Sequence, residues 1–403
     1  MTDLLDPLLS LNEGHWFKLI CGASFQHLPA VRSLTLAYTL AGADCVDVAA
    51  DPSVIAAAKE ALQVATRLRR DAKQRGFGNG GTSPLLMVSL NDGEDPHFRK
   101  AEFNPTECPA TCSRPCEQIC PAQAIVFNNT TDHFSGVISQ KCYGCGRCLP
   151  ICPYDKIYTK SYVSTPGAIA PLILSTGVDA IEIHTSVGRL AEFKRLWQAI
   201  SPWVEHLKLV AISCPNGEGM IDYLRAIYDA ITPLKSALIW QTDGRPMSGD
   251  IGDGTTLAAV KLGQKVLAAG LPGYVQLAGG TNSYTVTKLK AMGMVRRVRN
   301  EELGVRSKST PHALNPQRQS PQVGKPAHGA GSSVGTPSSP FIAGVAYGSY
   351  ARVLLSPILD QLEVREVNQT NVKASIRLED DDVLLWEAVK LAHSLVSQLK
   401  SQQ

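Results

Sequence analysis

At 403 residues, 44% hydrophobic and 19% charged, the chain can bury the core of two or three ordinary domains or of one large barrel with additions. A net charge of +3 with no clustered basic face sets nucleic-acid binding aside, and the run from Arg67 to Arg70 reads as the solvated side of a helix. Residues 1–20 carry no secretory signature and no stretch is apolar for long enough to span a membrane, so a cytoplasmic protein without a transmembrane segment is expected.

Strand and helix then alternate along the chain. Residues 17–21 read as a strand and 30–41 as a helix; 44–48 and 53–74 form the next pair, and 85–89 is the third strand. The rhythm breaks over 95–165. It resumes with a helix at 168–175, then strands at 180–184, 207–212, 236–241, 274–277 and 342–346. Helices at 190–200, 220–231, 255–269, 283–292 and 350–362 follow these strands, and 384–399 is an amphipathic terminal helix. Alternating βα units imply a parallel sheet, and eight of them predict a closed (β/α)8 TIM-like barrel, with an open doubly wound sheet as the alternative.

The expected division is 1–94 for the first three barrel units, 95–165 for an insertion after strand three, and 166–300 for units four to seven. Residues 341–403 supply the last unit and the terminal helix. Between them, 301–340 is rich in Pro, Ser and Gly and poor in large apolar residues, the composition of a disordered loop.

Eleven cysteines are many for such a chain, and eight of them fall between positions 108 and 152. Cys21, Cys45 and Cys214 lie singly in apolar segments and read as small buried hydrophobes. The later half of the cluster, Cys142, Cys145, Cys148 and Cys152 followed by Pro153, has the spacing C-x2-C-x2-C-x3-C-P that wraps a cubane iron–sulfur cluster. The earlier half, Cys108, Cys112, Cys116 and Cys120 followed by Pro121, widens the first gaps but keeps the closing C-x3-C-P.

In two-cluster ferredoxins the fourth cysteine of each motif ligates the other cluster. Cys108, Cys112, Cys116 and Cys152 are therefore assigned to one [4Fe–4S] cluster, and Cys142, Cys145, Cys148 and Cys120 to the second. Residues 124–127 and 135–138 fit a short hairpin between the halves, as in the two-cluster ferredoxin-like fold. Structural zinc and disulfides fit the spacing less well.

Polar residues within the apolar strands point to a barrel mouth. Lys18, Asp47, Glu182, His184, Gln241 and Gln276 are costly against an apolar helix layer and are expected to face inward, with Asp243 beside Gln241. Gly279 and Gly280 after strand seven, and Gly348 and Ser349 after strand eight, stand where barrels often bind a phosphate; flavin mononucleotide (FMN) is the natural candidate.

The two cysteine motifs, followed by the run from Gln276 through Gly279, Gly280 and Thr281 to Asn282, resemble the cyanobacterial light-dependent period (LdpA) family over nearly the whole chain apart from 301–340. The resemblance implies an iron–sulfur redox sensor in the input pathway of the circadian clock, with clock proteins including a histidine kinase as partners. A quinone or another carrier is then the electron donor. No catalytic residue is implied. A sensor rather than an enzyme is expected; an iron–sulfur oxidoreductase using the barrel mouth is the alternative.

Overall fold

The computed structural model describes residues 7–22, 28–78, 83–93, 99–120, 123–128, 133–139, 141–142, 148–161, 170–244, 254–296, 338–367 and 377–400. Cys145 and residues 301–337, the larger part of the Pro/Ser/Gly-rich stretch, lie outside them.

Strict alternation of side chains explains the barrel. In β1 (Trp16–Gly22), Phe17, Leu19 and Cys21 pack outward on the helix layer, while Trp16 and Lys18 point inward. The same parity runs through β2 (Cys45–Ala49) and β3 (Leu85–Asn91), where Val46, Val48, Leu86 and Val88 face the helices and Cys45, Leu85 and Met87 face the axis. Strands β8 (Ala180–His184), β9 (Leu209–Pro215), β10 (Ala237–Asp243), β11 (Gly273–Ala278) and β12 (Ser338–Tyr347) complete the ring. The sheet closes in the order β1-β12-β11-β10-β9-β8-β3-β2. Every pairing in it is parallel. This is the expected (β/α)8 arrangement. Two small differences matter: β12 starts at Ser338, inside the stretch expected to lack order, and the helix expected at 168–175 is one π-helical turn, Ala170–Leu174.

The barrel interior is layered. Trp16, Cys45, Leu85, Met87, Ala180, Leu209, Ala211, Ile239 and Ala343 fill its lower half, and Leu11 joins them from the helix Pro7–Glu13 beneath. That helix escaped the periodicity because it is short. Above the apolar layers the same inward parity places Lys18, Asp47, Ser89, Glu182, Gln241 and Gln276.

Between β3 and β8 the chain leaves the barrel. Strands β4 (Arg99–Glu102) and β7 (Tyr158–Ser161) pair antiparallel, so the outgoing and returning chains form a two-stranded stem. Inside the stem lies the hairpin of β5 (Ile125–Val126) and β6 (Gly136–Val137). Phe103, Ala124, Ile125 and Ile157 form a core of their own there, shared with Cys116, Cys142 and Cys148.

Candidate iron–sulfur centre and barrel interior

Two matching turns organise the cysteine insert. Cys120 is followed at the third residue by Gln123, with φ of 47°, and at the fourth by Ala124, whose N–H donates to the Cys120 sulfur at 3.2 Å. Cys152 is followed at the third residue by Asp155, with φ of 49°, and at the fourth by Lys156, whose N–H donates to the Cys152 sulfur at 3.4 Å. Each left-handed residue also returns its N–H to the carbonyl of its cysteine. A side chain in this conformation is strained, and the same strain at the same offset marks two copies of one device. The short helices Pro115–Ile119 and Cys148–Ile151 precede these turns and carry Cys116 and Cys148.

The thiols stand in an apolar lining, with backbone donors turned toward them. Ala101 N–H reaches the Cys142 sulfur and Arg114 N–H the Cys112 sulfur, each at 3.4 Å. Burial, reinforced by Cys112 and Cys152, raises the Cys108 thiol above its ordinary pKa. Burial pushes the Cys116 thiol up to about 11, with Cys152 and Cys108 adding to it. Among the described residues no three His, Cys, Asp or Glu side chains close in tightly enough for a single metal ion. Thiols that share an apolar lining and are met by N–H donors fit an iron–sulfur cofactor, whose potential such hydrogen bonds tune.

The barrel residues converge on one network, deeper than an open mouth. Lys18 Nζ lies 2.9 Å from Asp47, contacts Glu182, and donates to Gln241 Oε1 at 3.1 Å. Gln241 Nε2 donates to Glu182 at 2.6 Å, Gln276 Nε2 donates to Gln241 at 2.6 Å, and Trp16 Nε1 donates up to Gln276 at 2.6 Å. The Ser89 hydroxyl binds Asp47 at 2.9 Å. Lys18, Glu182 and Gln276 are fully buried.

One ammonium serves two carboxylates here. Its pKa is raised by both of them against the cost of burial. Burial and the Glu182 charge push Asp47 up to about 6 despite Lys18. His184 sits above, its Nε2 3.2 Å from Glu182 and without a hydrogen-bond partner, while Asp243 bonds Ser213.

Of the glycine turns, only the one at Gly280 is closely packed. Gly280 has φ of 91°, and a Cβ there would stand 3.0 Å from the Thr255 carbonyl oxygen. Gly279 has φ of 60°. In the next turn Asn282 Oδ1 accepts Tyr284 N–H at 3.0 Å, and Asn282 N–H goes to the Thr285 hydroxyl at 2.9 Å. Ser349 Oγ accepts from Arg352, and a Cβ on Gly348 meets nothing closer than 3.7 Å.

An ion pair that patterning did not single out joins insert to barrel. Asp51 caps the helix Pro52–Gln74 after β2, and its second oxygen pairs with Lys100 of β4 at 2.9 Å. Asp51 is readable as an N-cap from the Asp-Pro-Ser sequence; its ion pair is not. Where the chain leaves β3, Asp92 is held by Arg189 at 2.7 Å and by the Thr185 hydroxyl.

The comparisons with known proteins follow this division. Residues 108–163 match the LdpA Fe-S cluster-binding domain, and 172–398 match the light dependent period A C-terminal domain, which covers five of the eight barrel strands. Over 394 residues the chain is 43% identical to light dependent period A of Synechococcus elongatus, covering 98% of this chain and 94% of that protein. The chain belongs to the light dependent period A family and is an iron–sulfur protein.

Proposed function

We propose that the chain holds two [4Fe–4S] clusters, on Cys108, Cys112, Cys116 and Cys152 and on Cys142, Cys145, Cys148 and Cys120, and senses cellular redox state with them. Its carrying observation is the pair of matching turns at Cys120 and Cys152, the two cysteines that the ferredoxin rule sends across. When bound, a cubane takes up and returns single electrons, here exchanged with a one-electron carrier such as a quinone pool or ferredoxin-type protein.

The chain's own part is to exclude water with Phe103, Ile125 and Ile157, and to set the potential through N–H donors from Ala101, Arg114, Ala124 and Lys156. The name of its relative refers to a light-dependent period. On that reading this protein conveys photosynthetic redox state, and so light intensity, to cytoplasmic clock proteins, a histidine kinase among them. The barrel is the receiving body. Lys18, Asp47, Glu182, Gln241 and Gln276 satisfy one another inside the barrel, and Asn282 and Ser349 accept hydrogen bonds from the chain itself. This favours a sensor over a flavin-dependent oxidoreductase.

Anaerobic purification, with iron and sulfide analysis and EPR before and after dithionite, tests the reading. About eight irons per chain, with interacting reduced-cluster signals and no flavin bands, supports it. About four irons overturns the two-cluster assignment. Stoichiometric flavin moves the function to an oxidoreductase.

A further inference from the structure

Lys100 stands at the only described ion pair that joins the stem of the insert to the barrel. Its side chain is 8% exposed and that of Asp51 is 1% exposed. Asp51 divides its two oxygens between the bodies. Oδ1 accepts the N–H groups of Ser53 and Val54 at the start of the helix Pro52–Gln74, and Oδ2 has no hydrogen-bond partner besides the ion pair. Lys100 also donates to the Ser139 carbonyl at 2.5 Å. The next residue, Ala101, gives its N–H to the Cys142 sulfur. One buried cation therefore lies one residue from a cluster-ligand hydrogen bond and against the cap of a barrel helix.

We propose that Lys100 is a positioning residue that sets the potential of the cluster held by Cys142 and carries its redox state to the barrel through Asp51. This rests on the two-cluster reading above. In low dielectric an ammonium acts strongly on nearby charge. One electron from a one-electron carrier adds one negative charge to the insert, with no bond made or broken. Lys100 is then drawn toward the insert, its hold on Asp51 weakens, and the first turn of the helix Pro52–Gln74 loosens.

The signs are opposite for the two partners, which a loss of packing does not reproduce. Lys100→Met removes the cation and leaves Asp51 uncompensated, so the Cys142 cluster becomes harder to reduce. Asp51→Asn keeps the cap, since Asn caps as well as Asp, removes the anion, and makes the same cluster easier to reduce. Lys100→Arg restores the wild-type potential. The cluster on Cys152 moves less in each.

The experiment is a redox titration of the full chain, loaded with its clusters, followed by EPR. It is paired with hydrogen exchange at Ser53 and Val54 in the oxidised and reduced states. The expected result is opposite shifts on one cluster, and faster exchange on reduction in the wild type that Lys100→Met abolishes. Shifts in the same direction, equal shifts on both clusters, no shift, or wild-type exchange indifferent to reduction overturns the proposal. If Lys100→Met does not fold, Asp51→Asn and Lys100→Arg decide it. A wild-type chain with fewer than two clusters overturns the underlying reading instead, and the iron count separates that outcome.

Discussion

The cysteine insert and the barrel interior are both crowded with reactive side chains, but they resolve their chemistry in opposite ways. In the barrel, Lys18, Asp47, Glu182, Gln241 and Gln276 answer one another, and every polar group named has a partner within the layer. In the insert the thiols share an apolar lining and are met by single backbone N–H groups. A closed network is a structural element. Thiols gathered in this way are suited to hold a metal cluster.

The sharpest test separates iron from stability. On the proposed ligand assignment, Cys152→Ser is expected to lose the cluster on Cys108, Cys112 and Cys116, about half of the iron, while the barrel's unfolding midpoint barely moves. Loss of the Cys142 signal instead reverses the ligand assignment. Iron analysis and EPR read the first quantity and urea unfolding the second.

Lys18→Met is the mirror experiment. It leaves Asp47 and Glu182 buried without their shared cation, which costs about 3–5 kcal/mol of stability by urea unfolding at neutral pH. The iron content should stay at the wild-type level. A stability change within about 1 kcal/mol shows that the network is not closed and that water or a ligand reaches Lys18.

Much of this arrangement is legible in the sequence, and the rest is not, for a physical reason. Spacing is local: thiols with two or three residues between them are close in any fold, so Cys142, Cys145, Cys148 and Cys152 announce their chemistry before any tertiary structure exists. Inward parity is local too, and it places Lys18, Glu182 and Gln241 on the axis. What parity leaves open is who meets whom. Lys18 and Glu182 are 164 residues apart, and Trp16 and Gln276 are 260 apart. The stem strand Arg99–Glu102 is short and charged, with no alternation to reveal it, so Lys100 had no signal to set it beside Asp51.

A smaller effect comes from the imbalance inside the network. Asp47 in the folded chain is pushed up to about 6 from its ordinary 3.8, so the folded state holds this proton more tightly than the unfolded one. Stability from this group is therefore highest at about pH 4 and below, and falls as pH rises to about 6. Asp47→Asn leaves Lys18 and Glu182 as a balanced pair and should flatten that fall. Urea unfolding from pH 4 to 7 reads the slope, and an unchanged slope assigns it to another group.

The smallest expected effect falls at the turn where a phosphate site was anticipated. Gly280 combines φ of 91° with a Cβ position 3.0 Å from the Thr255 carbonyl oxygen and 3.1 Å from the Thr255 Cβ. Gly280→Ala should cost about 1–2 kcal/mol, because an L-residue is strained there and the neighbour is backbone. Iron content and cluster potentials should be untouched. If the turn were instead kept open for a phosphate-bearing ligand, the substitution would abolish binding of inorganic phosphate or FMN measured by calorimetry on the full chain. Wild-type protein that binds neither, with the variant merely less stable, assigns the glycine to packing and leaves the insert as the site of chemistry.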